Sequence, residues 1–180
     1  MIERYRFFKN LGFFGVEQHT VRGAVTFLRA GRALLSSSRN MLWLTPQGRF
    51  ADVRERPLQL QPGLAALATR LSGVAFLPLA IEYPFWTESR PEILLSFGRP
   101  LMTDRQSYRD ADEWSRLLSE ALENTQEELA MCSCRRDPRD WLTISRGRSG
   151  GNRVYDTLRR LRAWLSGRKF VGEHQQESVR

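Results

Sequence analysis

Residues 12–45 read GFFGVEQHTVRGAVTFLRAGRALLSSSRNMLWLT. A short apolar run at 12–16, helical periodicity across 20–37 and a second apolar run at 41–45 predict strand, helix, strand. Strands separated by a helix are usually parallel, with the helix covering the sheet. Further along the chain, Pro and Gly open a predicted helix at 62–72, and an apolar strand is expected at 74–83. A third run follows at 92–98. A long helix is expected over about 110 to 132, where Trp114, Leu117, Leu118, Ala121 and Leu122 share one stripe. This order predicts an α/β domain with a mostly parallel sheet, helices on its faces, and a basic carboxy-terminal helix.

In such sheets ligands bind beyond the carboxyl ends of the strands. The loop that leaves the expected strand at Thr45 therefore falls where a site is expected. It runs LTPQGRFADVRERPLQLQPG over residues 44–63. Arginine offers a planar fork matching two phosphate oxygens, and glycine lets backbone N–H groups approach an anion. Gln47, Gly48, Arg49, Arg54 and Arg56 are the expected substrate-binding residues. A solvated surface loop is the plainer reading of the same composition.

Taken together, LWLTPQGRF, LQPGLAALA and FLPLAIEY resemble, in order and spacing, the later motifs of the glycerolipid acyltransferases, a family that includes 1-acylglycerol-3-phosphate acyltransferases. Those motifs read Phe-Pro-Glu-Gly-Thr-Arg, then Pro-Gly at a helix start, then Val-Pro-Val-Ala. Pro46, Gly48, Pro62, Gly63 and Pro78 match; Gln47 replaces Glu, and Arg49 stands one place early. LGFFGVEQ (11–18) resembles a degenerate motif ending in Asp-Arg, here Glu17-Gln18. The resemblance covers roughly residues 5–102 and implies a glycerol-3-phosphate acyltransferase-like fold. It also implies transfer of a fatty acyl group from acyl-CoA or acyl carrier protein to a lysophospholipid hydroxyl, without a cofactor.

The family's His-x-x-x-x-Asp motif supplies a general base and its orienting carboxylate. Here Ala24 stands five residues after His19 and Val179 five after His174, so no catalytic residue is assigned. The expectation is an acyltransferase-like domain over 1–134 without its upstream catalytic part. A catalytically silent lipid- or anion-binding fragment is the alternative. His19 alone, at a helix start, reads as a surface polar group.

Charge divides the chain. Residues 1–134 hold 16 Lys+Arg against 15 Asp+Glu, and residues 135–180 hold 12 against 5. A linker at 135–150 is expected to lead to a basic amphipathic helix and tail at 151–180. Val154, Leu158, Leu161 and Leu165 form its stripe, with Arg153, Arg159, Arg160 and Arg162 around it and Trp164 at the flank. That pattern suits an anionic membrane surface, although the stripe could instead dock on the domain. Nucleic acid is not the expected partner, because the tail lacks the interleaved aromatics of stacking modules.

GRSGG at 147–151 fits a hydrolase nucleophile turn around Ser149, but only Asp156 and His174 follow in triad order, and a hinge suits it better. Cys132 and Cys134 lack metal-ligand spacing and read as reduced thiols, a vicinal redox pair being the sharper alternative. No window is long and apolar enough to span a bilayer. The expected location is cytoplasmic, peripheral to the inner face of the membrane.

Overall fold

The computed structural model describes residues 12–86, 90–104 and 109–145. Helix α1 covers Val21–Leu35. The Thr20 side chain accepts from the backbone N–H of Gly23, satisfying one of the amides that open the helix. Helix α2, Pro62–Ala68, starts on a proline whose missing N–H costs nothing there. The two helices meet closely. A Cβ on Gly31 would lie 2.9 Å from a methyl of Leu67, a residue with no solvent exposure, so a larger residue there would force the buried leucine to shift.

The strands form one bent antiparallel ribbon. β1 (Ala75–Phe76) pairs with β4 (Leu101–Met102), and β2 (Leu79–Glu82) pairs with β3 (Leu94–Phe97). Between the two ladders, Leu77 and Pro78 face Gly98, Arg99 and Pro100, an insertion of one residue that shifts the register. Pro78 and Pro100 have no N–H to offer a ladder, so the ribbon breaks where they stand. One bond crosses the break, from Gly98 N to Pro78 O at 3.0 Å.

Helix α3, Ala111–Arg135, is capped by Asp110, whose side chain accepts from Glu113 N at 2.8 Å. Its apolar face makes two cores. Trp114 and Leu118 pack with Ala65 and Ala68 of α2, and the Trp114 ring lies 5.9 Å from Phe76. Further along, Leu129 packs with Ala80 and Leu94 of the ribbon. Past α3, a 3₁₀ turn at Pro138–Asp140 is held by an Arg135–Asp140 ion pair at 3.0 Å. Trp141 then closes the second core against Trp86, with ring centroids 6.2 Å apart.

This architecture corrects the expected fold. Among the described residues there are two small antiparallel ladders, not a mostly parallel sheet with helices on its faces. The predicted strands at 12–16 and 41–45 join no ladder, and Trp43 stays largely exposed. The runs that do pair are the two with no helix between them, and a short connection returns a strand antiparallel. The loop after Thr45 therefore does not leave the end of a sheet strand. The expected basic helix at 151–167, together with Ser149 and His174, lies outside the described residues.

Candidate functional site

The loop is built on a tight turn. Gly48 N donates to Thr45 O at 3.1 Å, and Gly48 adopts φ +64°, where a side chain is strained. A Cβ there would also meet Gln18 Nε2 at 3.0 Å and Gln61 Cγ at 3.1 Å. Those two glutamines hold the turn from either side. Gln18 Nε2 donates to Gly48 O at 2.6 Å, Gln61 N donates to Pro46 O at 2.8 Å, and Gln61 Nε2 donates to Gln47 O at 3.0 Å. The Gly48 amide is thus used inside the turn. Gln47 presents a buried side-chain Nε2 that has no hydrogen-bond acceptor.

Beyond the turn, the three arginines bind their own chain. Arg49 donates to both carboxylate oxygens of Glu55. Arg54 donates through Nε and Nη2 to the two oxygens of Asp52, each at 2.9 Å. Arg54 side-chain bonds, helped by its backbone N–H, hold the Asp52 carboxyl at about 2, below the ordinary 3.8. Glu55 in turn raises the Arg49 guanidinium further.

Arg56 differs from the other two. It donates at 2.9 Å to the carbonyls of Val53 and Glu55, which are neutral acceptors, and its nearest carboxylate, Glu127 of α3, is 4.0 Å away. It keeps the least neutralised charge of the three. Glu123, also on α3, accepts from Leu58 N at 2.6 Å and anchors the returning limb of the loop.

The structure therefore brings Gln47, Gly48, Arg49, Arg54 and Arg56 into one loop without turning all three arginines toward a common ligand. Reading the sequence for cations missed Asp52 and Glu55, although RFADVRE places an acid within six residues of each arginine. It also missed Phe50, which is fully exposed at the loop tip. His19 is exposed at φ 60° and makes no hydrogen bond or ion pair among the described residues.

At the other end of α1, a cleft of about 500 Å³ is bordered by Arg32, Arg70 and Arg109. Arg70 is bound to Ala66 O and Thr69 Oγ1, and Arg109 stacks on Trp114 while pairing with Glu113. No helix among the described residues is long and apolar enough to cross a membrane. Comparison with protein families, curated proteins and solved structures finds no match to the chain.

Proposed function

We propose that this chain handles glycerolipids at a membrane surface, as an acyltransferase-type domain that binds a phosphate-bearing lysophospholipid. The supporting observation is a meeting of three segments that resemble the acyltransferase motifs. Gln18 of LGFFGVEQ, Gly48 of LTPQGRF and Gln61 at the PG helix start are joined by direct hydrogen bonds. In this reading Arg56, the least neutralised cation of the loop, meets the lipid phosphate.

Binding without transfer is the second reading, and one observation favours it. Base catalysis needs an oriented proton acceptor, and His19 has no carboxylate to orient it among the described residues. Acyl transfer from a thioester donor is measured by release of free thiol in the presence of a lysophospholipid. A background rate, together with tighter binding of lysophosphatidic acid than of the matching monoacylglycerol, supports binding alone. Lysophospholipid-dependent turnover restores transfer, and equal affinity for the two lipids removes the lysophospholipid reading.

A further inference from the structure

We infer that the loop carries a rigid membrane-inserting tip, residues 50–54, with Phe50 as the group that enters the lipid. The inference rests on the glycerolipid reading for its partner and on the loop geometry for its form.

The tip is closed at its base by the Arg49–Glu55 pair. It is braced inside by Asp52, which accepts from both the backbone and the side chain of Arg54, and by Glu55 N donating to Asp52 O at 3.0 Å. A turn fixed in this way loses little freedom when it docks. It offers Phe50, fully exposed, and Val53, half exposed, to whatever lies beyond it.

Charge argues for a bilayer as the occupant. Within residues 49–55 the two arginines are matched by two acids, so an anionic surface neither repels the tip nor draws it strongly. Attraction comes from elsewhere in the chain. Beyond residue 145 there are nine Lys+Arg against three Asp+Glu. A basic segment near anionic lipid and one inserted apolar group are each weak, and stable peripheral attachment usually combines two such signals. Arg54 stays paired with Asp52, so the tip presents its apolar side chains without an unpaired charge beside them.

The test is sedimentation of the full chain with vesicles of phosphatidylcholine alone and with added phosphatidylserine, without lysolipid. Phe50→Ala should weaken partitioning about tenfold on both vesicles. That loss should persist at high salt, where the basic tail contributes least, and Phe50→Leu should recover most of the binding. Hydrogen exchange on the parent should show vesicle-induced protection of residues 50–54. Equal partitioning of Phe50→Ala and parent overturns the inference, as does protection confined to other residues. Self-association of the parent that Phe50→Ala abolishes, with no vesicle binding, assigns the tip to a second copy and also overturns it. Because lysolipid is absent, these outcomes are independent of the preference for lysophosphatidic acid. A failed tip therefore leaves the lipid-binding reading standing, and a failed preference leaves the tip standing.

Discussion

Arg49 is bound through two guanidinium nitrogens to both carboxylate oxygens of Glu55, six residues along the same loop. A planar fork that would suit a phosphate is already occupied by a carboxylate of matching geometry. A phosphate ligand at Arg49 would have to displace Glu55, and the freed carboxylate would remain beside it. The pair is therefore a brace that closes the tip.

The brace is tested by coupling. Arg49→Ala and Glu55→Gln should each speed amide exchange over residues 50–54, and the double variant should be no faster than either single one, because both remove the same interaction. Additive effects would show that the two side chains act separately.

Acid should open the inner brace. The folded Asp52 carboxyl lies at about 2, below its ordinary 3.8, so its bonds to Arg54 favour the closed tip fully above about pH 4. That contribution is lost as pH falls through the folded value. Carbon-detected titration of the Asp52 carboxyl should give a midpoint near 2 in the parent and near the ordinary value in Arg54→Ala. A midpoint near 3.8 in both would remove the Asp52–Arg54 contact from the account.

The close packing of the ribbon on α3 depends on Gly98. A methyl group there would strike Thr125 Oγ1, which lies on α3, is 2% exposed and donates to Ala121 O at 2.7 Å. Gly98→Ala should destabilise the fold by about 1 to 3 kcal/mol, the usual range for forcing atoms into a packed interior. Urea unfolding measures it. Thr125→Ala added to Gly98→Ala should recover part of the loss, and a still less stable double variant would place the strain elsewhere.

The helices were legible because their apolar residues recur at a local period. Thr20, Pro62 and Asp110 mark their starts, and α1, α2 and α3 begin within one residue of the expected positions. Pairing of strands is a long-range property that periodicity does not carry. Nothing in GFFGV or MLWLT distinguishes a strand with a neighbour from an apolar run without one, and both runs join no ladder. The prolines that break the ribbon were visible at 78 and 100, but the glycine between them takes its meaning from Thr125, 27 positions later in the chain. In the loop, the arginines and glycine match a ligand site by type, but Asp52 and Glu55 decide what Arg54 and Arg49 bind. A neutralised tip and a cationic clamp look alike until the acids within reach of each arginine are considered.

The most direct measurement compares Arg56→Ala with Arg49→Ala in calorimetric titrations with lysophosphatidic acid and with the matching monoacylglycerol. Arg56 is the loop cation whose nearest carboxylate is 4.0 Å away, whereas Arg49 is held by Glu55. A charge-assisted contact to phosphate typically contributes about 1.5 to 3 kcal/mol, roughly ten- to a hundredfold in affinity. Arg56→Ala should lose the preference for the phosphorylated lipid by about that factor, while Arg49→Ala affects the two lipids equally. A preference that survives Arg56→Ala and disappears in Arg49→Ala would contradict it, making Arg49 the phosphate ligand and its pair with Glu55 a contact that the lipid displaces.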